Sequence, residues 1–149
     1  MSGPALRNVD SHASIHEAAL EEARELTAML AQCLNAGDAD RALEVAFVAI
    51  EHWETRTLQH AASEEEGLYR EMALARPELR DTIISLTRDH QLMRELAQDI
   101  RELLASEGAS IGVLDRFRAM IRIDEIHNRD EERMIGHTEV MGHADGEAV

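Results

Sequence analysis

Lysine is absent from this 149-residue sequence, and it has one cysteine, two prolines and four aromatic residues. The single Cys33 excludes an internal disulfide framework. No apolar run approaches the roughly 20 residues of a membrane-spanning helix. The opening MSGPALRNVDSHA has neither the basic start nor the apolar run of a secretory signal. We therefore expect one cytoplasmic domain that does not associate with membranes.

Acidic residues dominate the charge, since 30 Asp and Glu face 15 Arg and the formal net charge is -15. Affinity for nucleic acid or for anionic membranes depends on basic patches, so neither partner is expected. Cationic partners are favoured, and metal ions are among them. Most of the acids are expected on the solvated outer faces of helices. Only acids that point inward are therefore informative about function.

The composition favours helices, because Ala, Leu, Glu and Arg dominate and apolar residues recur at spacings of three and four. This pattern predicts four long helices, A to D, and no sheet. Residues that cap or interrupt helices mark their limits: Asp10 or Ser14, Asp38 or Asp40, Pro77, Gly108 and Gly112.

Short connections between long helices favour antiparallel neighbours, so the predicted fold is an all-α, up-down-up-down antiparallel four-helix bundle. The bundle is expected to span residues 10–139. We expect residues 1–9 to form a flexible N-terminus and residues 140–149 a flexible acidic C-terminal tail.

Every predicted helix carries a histidine on its apolar face, and helices B and D each add a glutamate one turn later. On helix B, His60 and Glu64 continue a stripe that includes Phe47 and Trp53. Folding the chain at the three predicted turns brings the four imidazoles within about one helical turn, or roughly 5 Å of rise. The inward polar residues are His16, His60, Glu64, His90, His127 and Glu131.

This set of inward residues predicts a metal site, because buried charges are usually paired or bound to metal. Imidazole and carboxylate suit first-row transition metals, and carboxylates from facing helices of a bundle can bridge two ions. Six ligands suffice for two ions if Glu64 and Glu131 both bridge. Iron is the leading candidate, and manganese and zinc are possible. A buried polar network without metal is the alternative.

Three further residues are candidates for the site. His12 lies one turn before His16 and could replace or join it, although a helix that starts at the Ser14 cap favours His16. Asp124 is either an acceptor for the other ring nitrogen of a ligand imidazole or an ordinary rim acid. Tyr69 is expected at the edge of helix B, with a tyrosinate ligand as the alternative.

The remaining ionisable residues and the sulfur-containing residues are expected outside the site. The spacing places three glutamates on outward faces, namely Glu65, Glu66 and Glu132. Three histidines are expected at the surface, namely His52, His137 and His143. Cys33 and the methionines are predicted to fill the core.

The order His, His-x-x-x-Glu, His, His-x-x-x-Glu resembles the hemerythrin-like, or HHE cation-binding, domain family over about residues 10 to 138. The resemblance implies a four-helix bundle with a non-haem di-iron centre and an oxo or hydroxo bridge. It implies that His16, His60, His90 and His127 are terminal ligands. Glu64 and Glu131 are then the carboxylate bridges.

The sequence departs from the oxygen-carrying hemerythrins, which have two histidines one turn apart on the third helix and a His-x-x-x-x-Asp on the fourth. Here Arg94 follows His90 by one turn, and the fourth helix offers Glu131. The chain is closer to the bacterial hemerythrin-like branch. With Arg94 in place of a fifth imidazole, we expect an open metal position, with the guanidinium favouring anionic ligands there.

The resemblance implies a protein that binds, senses or consumes oxygen, hydrogen peroxide or nitric oxide. One alternative is an iron-responsive regulatory or iron-donor module without turnover, which would need a separate protein partner. Another is a peroxidase-like or catalase-like di-iron enzyme. Peroxide turnover would distinguish the enzyme from the module.

Overall fold

The computed structural model describes the backbone of residues 9–148 and the side chains of residues 12–136. That part of the chain is helical and contains no strand, in agreement with the predicted all-α class. Four long helical stretches are joined by short connections. Their elements are α1 (Val9–Asn35), α2 (Ala39–His52), a π-helical segment (Trp53–Leu58), α3 (Gln59–Glu66), α4 (Leu68–Ala75), a 3₁₀ turn (Pro77–Leu79), α5 (Arg80–Ser106) and α6 (Ile111–Ala148).

The turns between the long stretches follow the predicted capping and glycine signals. Asp38 caps α2, because its carboxylate accepts a hydrogen bond from the backbone N–H of Arg41 at 3.2 Å. Gly37 and Gly108 have positive φ angles of 71° and 78°. Such angles favour glycine, which has no Cβ to clash with the backbone. These two residues lie in the turns that follow α1 and α5.

The first helix begins earlier than its capping signal indicates. Because α1 already includes Val9, the prediction that Ser14 caps it is wrong, whereas the alternative start near Asp10 lies close to the observed one. A cap contributes only about 1 kcal/mol, and the buried hydrogen bonds of His12 favour the longer helix. His12 therefore lies on α1, one turn before His16.

Helix B is not the single regular helix that the sequence predicts. After α2 the chain makes the wide π-helical turns of Trp53–Leu58, and α3 ends at Gly67, before α4 begins. A π-helical turn holds more residues than an α-helical turn, so it shifts the register of the side chains that follow. Phe47, predicted on the inner stripe, is 41% exposed, because the buried face of α2 passes through Ala46 and Ala49 instead.

The buried side chains form two apolar clusters with a polar cluster between them along α5 and α6. The larger, which we call the apolar section, is built around Leu30, Ile50, Trp53, Ile100 and Phe117 and includes the predicted core residue Cys33. The smaller contains Tyr69, Met72, Leu86, Met134 and Ile135. On α5, His90 lies between Leu86 of the smaller cluster and Met93 of the apolar section. The functional candidates are thus enclosed by core on both sides.

The predicted flexible ends fall largely outside this description. Residues 1–8 and 149 are not described, and the side chains of residues 137–149, including His137 and His143, are not described either. The backbone of α6 continues through most of the predicted tail, to Ala148. The domain limits therefore stay predictions.

Within the described residues, no helix combines the length and the apolar character required to cross a membrane.

Candidate metal centre

Seven ionisable side chains converge in the interior, and six are buried while His60 is partly exposed. They form two groups in which one nitrogen or oxygen atom from each residue lies within 4.8 Å of the others. The first group consists of His12, His16, His60 and Glu64, and the second of Glu64, His90, His127 and Glu131. All six predicted site residues thus lie together, and His12 joins them. We call His12, His16 and His60 the first imidazole set, and His90 and His127 the second.

Glu64 presents one carboxylate oxygen to each imidazole set. Its Oε2 lies 2.8 Å from Nε2 of His12, 3.8 Å from Nε2 of His16 and 3.5 Å from Nε2 of His60. Its Oε1 lies 3.4 Å from Nε2 of His90. A carboxylate in this position can contribute one oxygen to each of two ions.

Glu131 repeats this arrangement from α6. Its Oε1 pairs with Nε2 of His12 and lies 3.4 Å from Nε2 of His16. Its Oε2 lies 3.2 Å from Nε2 of His127 and accepts a hydrogen bond from the Tyr69 hydroxyl. The two carboxylates therefore connect the same two sets, as the prediction of two bridging glutamates requires.

The cluster is electrostatically polarised. Burial alone would lower the pKa of His12 and of His127, but hydrogen bonds to Glu131, Glu64 and Asp89 outweigh it and raise both values to about 10. Burial lowers the pKa of His16 to about 4. Burial would raise the pKa of Glu64, yet its hydrogen bonds to histidine hold it well below the usual range. Without metal, two buried imidazolium charges therefore offset two buried carboxylates.

The donor set fits metal ions. Nε2 of His90 and Nε2 of His127 lie 3.1 Å apart, and two unprotonated nitrogens at that distance need a shared proton or a cation. Nδ1 of His16 is buried without a hydrogen-bond partner among the described residues. Five imidazoles and two shared carboxylates form a nitrogen and oxygen set of the kind that first-row transition metals prefer. A metal ion would relieve the cost of burying these charges.

Comparison with protein families agrees with the site geometry. The family model described as the hemerythrin HHE cation binding domain matches residues 7–137. The chain belongs to this family. No curated protein and no solved structure matches the chain, so the family model alone supports the assignment. The resemblance predicted from the histidine and glutamate order is thereby confirmed.

We call the seven side chains of the two groups the hemerythrin-like cluster. His12 is part of it, although the sequence favoured His16 alone on the first helix. Its ring is fully buried, contacts both glutamates and lies with its centroid 4.3 Å from that of His16. Of the two options left open, the structure supports the one in which His12 joins His16 rather than replacing it. The spacing of the two histidines was the available signal, and the wrong helix start concealed it.

Tyr69 is buried beside the cluster, so the prediction of an edge position is wrong. Five residues along a regular helix would carry its side chain well round from Glu64. The break at Gly67 ends α3 and starts a new helix, which turns Tyr69 inward. Its ring stacks on His90 with centroids 5.7 Å apart and planes 5° apart. Gly67 was the sequence signal for this break.

Glu65 and Asp89 contact the second imidazole set from outside the cluster. Glu65, predicted to point outward, has its Oε2 atom 2.8 Å from Nδ1 of His90. Nδ1 of His127 lies 3.0 Å from Oδ2 of Asp89, so Asp124, one of whose two predicted options was to accept from a ligand imidazole, is not the partner of this nitrogen. Asp89 directly precedes His90, and its outer position on α5 allows it to reach α6.

Two further predictions require correction. Arg94, expected to act on ligands at an open metal position, binds Glu65 through Nη2 at 2.6 Å and is 37% exposed. The fifth imidazole is supplied by His12 rather than by the third helix. His52, expected at the surface, is buried, and its Nε2 lies 2.9 Å from the carbonyl oxygen of Ala19. His52 is the last residue of α2, and this contact with α1 accounts for its buried position.

A cavity of about 390 Å³ adjoins the hemerythrin-like cluster. Ligand candidates from both imidazole sets line it, together with the π-helical segment. Its wall also contains Thr57, Ser63, Asp124 and Asn128, so it is partly polar. Burial raises the pKa of Asp124 to about 7. A small polar molecule in this cavity would lie next to the clustered imidazoles.

Proposed function

We propose that this chain is a non-haem di-iron protein that binds, senses or consumes a small oxidant, namely oxygen, hydrogen peroxide or nitric oxide. The observation that supports it is the pair of carboxylates, Glu64 and Glu131, each of which faces both imidazole sets. Iron is the metal expected for this family, and manganese or zinc would fit the same donors. The proposal includes the bacterial H-HxxxE-H-HxxxE type and a cytoplasmic location.

We also infer the up-down-up-down direction of the bundle. Along the second and third stretches, Glu54 pairs with Arg101, whereas the later Glu65 pairs with the earlier Arg94. Between α1 and α6, Arg24 pairs with Glu125 at 2.8 Å, whereas the earlier His12 pairs with the later Glu131. Antiparallel neighbours account for these four pairs.

In this proposal, each residue of the cluster has a distinct role. His12, His16 and His60 would hold one ion, His90 and His127 would hold the other, and the two glutamates would contribute an oxygen to each. When bound, the iron ions supply the electrons for reduction of the oxidant. The chain supplies the donors, buries them and keeps the two carboxylates ionised.

The second imidazole set is the proposed position for the small ligand. It has two imidazoles where the first set has three, so an ion held there has more room for an outside molecule. Burial and the charges of Glu131 and Glu64 raise the pKa of Tyr69, which keeps its hydroxyl protonated. That hydroxyl lies 3.5 Å from Nε2 of His127 and donates its hydrogen bond to Glu131 Oε2, so it holds this carboxylate beside the ligand position. Direct ligation by Tyr69 remains an alternative.

The polar groups in the cavity wall favour consumption or sensing over reversible oxygen carriage. A carrier must return its ligand unreduced, and the polarity, hydrogen-bond donors and access of the pocket decide between binding and activation. Here a carboxyl, an amide and hydroxyl groups line the approach. These groups admit water and protons to the site. This observation also favours the peroxidase-like or catalase-like alternative.

Stopped-flow mixing tests the function. Anaerobically reduced, iron-loaded protein is mixed with air-saturated buffer or with hydrogen peroxide, and its visible absorption is followed. We expect rapid, irreversible oxidation by both, and steady peroxide consumption would identify an enzyme. Oxygen uptake that reversed completely when oxygen was removed would contradict consumption or sensing and indicate a reversible carrier.

A second candidate is an iron-responsive regulatory or iron-donor module, and the charged interior favours it. Without metal, the fold must keep four charges of His12, His127, Glu64 and Glu131 out of water. Such a bundle is expected to loosen when it loses metal and so to change its contact with a protein partner. Metal-dependent folding without peroxide turnover would support this module.

A further inference from the structure

Two carboxylates outside the cluster contact the second imidazole set, and each comes from a different helix than its histidine. Glu65 of α3 reaches Nδ1 of His90 on α5 at 2.8 Å. Asp89 of α5 reaches Nδ1 of His127 on α6 at 3.0 Å. The same two rings therefore tie three helices together at the level of the proposed centre.

These contacts fix which ring nitrogen is available inside the cluster. An ionised carboxylate can accept a hydrogen bond but cannot donate one. The proton of each contact therefore lies on Nδ1 of His90 and on Nδ1 of His127. The other nitrogen of each ring, Nε2, points inward, 3.4 Å from Glu64 Oε1 and 3.2 Å from Glu131 Oε2 respectively. Both rings are thus oriented with a potential ligand atom facing the two bridging glutamates.

Glu65 is itself held in place and kept charged. Arg94 donates to its Oε2 at 2.6 Å and to its Oε1 at 3.4 Å. Burial would raise the pKa of Glu65, but the hydrogen bonds to Arg94 and His90 lower it. Arg94, Glu65 and His90 therefore form a chain from the surface to the cluster. The guanidinium acts on the imidazole through the carboxylate.

His16 of the first imidazole set contrasts with this arrangement. Its Nδ1 is buried and has no hydrogen-bond partner among the residues whose side chains are described. Its Nε2 faces Glu64 and Glu131, and its ring lies beside two other imidazoles, with centroids 4.3 Å away at His12 and 5.3 Å away at His60. No carboxylate outside the cluster therefore holds the Nδ1 side of this ring among the described residues.

We propose that Glu65 and Asp89 are positioning residues that orient His90 and His127 and set the metal affinity of the second imidazole set separately from that of the first. The inference rests on the proposed two-metal function, and it assigns a role to the two carboxylates that contact the cluster from outside. Removing such a partner typically costs 10- to 100-fold in metal affinity. For His16 and His60, no hydrogen bond or ion pair to Glu65 or Asp89 is present among the described side chains, so the affinity of the first set is expected to weaken less than that of the second, although the two sets share Glu64 and Glu131.

Cobalt titration of the metal-free protein tests this proposal, because Co²⁺ has visible absorption and suits the same donors. The variants are Glu65→Ala and Asp89→Ala, with exposed Glu66→Ala and Glu95→Ala as controls on the same helices. For each of the first two we expect one of two binding steps to weaken by about 10- to 100-fold. The controls should bind both ions as the unmodified protein does.

Glu65→Gln and Asp89→Asn separate positioning from a general loss of structure. Their amide oxygens still accept a hydrogen bond, so they should recover part of the affinity that the alanine variants lose. Proton NMR of the cobalt-loaded protein gives a second readout, since each Nδ1–H held by a carboxylate is expected to exchange slowly with D₂O. Glu65→Ala should accelerate exchange of one of these protons.

Three results would overturn the inference. Equal weakening of both binding steps would show that Glu65 and Asp89 stabilise the whole bundle. Unchanged affinities together with unchanged proton exchange would show that the contacts do not position the rings. Fewer than two cobalt ions in the unmodified protein would contradict the proposed function and this inference with it, whereas the first two results leave the two-metal function intact.

Discussion

The apolar section and the hemerythrin-like cluster are built on the same four helical stretches, yet they differ in what stabilises them. In the apolar section, side chains such as Leu30, Ile50 and Phe117 are wholly buried and need nothing but one another. In the cluster, Glu131 is just as buried but needs positive charge beside it. The apolar section stabilises the fold. The cluster depends on that stability, which keeps its buried ionisable side chains together at a site suited to metal.

Among the substitutions that distinguish these two regions, Glu64→Ala is expected to have the largest effect, which is a loss of bound metal. Glu64 belongs to both of the four-residue groups, so both metal positions lose a donor. Metal content should fall from two ions per chain to below about one. Elemental analysis of protein purified from iron-supplied cells measures this.

Glu66→Ala is the matched control for Glu64→Ala, because Glu66 lies on the same helix and is exposed. Glu65, placed outside the site by its spacing in the sequence, is unsuitable as a control because it contacts His90. Equal metal loss in Glu64→Ala and Glu66→Ala would refute the assignment of Glu64.

A core truncation should have the opposite pattern. Leu30 is fully buried in the apolar section, so Leu30→Ala should lower the free energy of unfolding by about 2 to 5 kcal/mol. Metal content should not change, since Leu30 lies outside both metal groups. Denaturant unfolding and elemental analysis of the same preparation check both statements. A loss of metal as large as that of Glu64→Ala would show that the regions are not separate.

Chelation should destabilise the protein without altering its sequence. A ligand present at about 100 times its Kd stabilises the folded state by about 2.7 kcal/mol per site. For a chain of this length, loss of that amount lowers Tm by about 5 to 10 °C. Calorimetry with and without a chelator measures the shift. A Tm that did not move would contradict a metal-dependent fold.

The metal-free protein should lose stability as the pH rises above about 6.5. His12 and His127, with pKa values raised to about 10, bind protons that the unfolded chain releases from about pH 6.5 upward, so stability is lost as the pH rises to about 10. Below pH 6.5 two groups oppose each other: His16, with its pKa lowered to about 4, causes a loss as the pH falls, whereas Asp124, with its pKa raised to about 7, causes a gain. Each group changes stability by at most about 1.4 kcal/mol per pH unit.

The alkaline loss should disappear in metal-loaded protein, because a ligand imidazole carries no proton on the bound nitrogen. Denaturant unfolding at several pH values, with and without metal, measures this difference. Identical pH profiles for the two forms would contradict the placement of His12 and His127 at the metal site.

The comparison also explains what the sequence predicts well. Regular α-helices carry a fixed 3.6-residue period, so His90 and His127, on the uninterrupted helices α5 and α6, were correctly placed beside Glu64 and Glu131. The positions of the predicted turns indicated the level along the bundle at which these side chains meet. The spacing of the histidines and glutamates, and the family resemblance that it indicated, are visible in the sequence without knowledge of side-chain packing.

The errors concentrate where the period changes. The Gly67 break moved Tyr69 away from its predicted position. His52 was misplaced because its buried position depends on a contact with α1, which periodicity does not encode. The early start of α1 brought in His12. Glu65 and Asp89 were missed for another reason, since their contacts join different helices and depend on interhelical distance, which periodicity does not encode.

Metal analysis of the intact, iron-replete protein tests the central claim most directly. The two imidazole sets joined by Glu64 and Glu131 predict two iron ions per chain, measured by elemental analysis against protein concentration. Visible absorption from an oxo-bridged ferric pair should accompany them. One ion per chain, or none, in protein prepared repeatedly from iron-supplied cells would contradict the account.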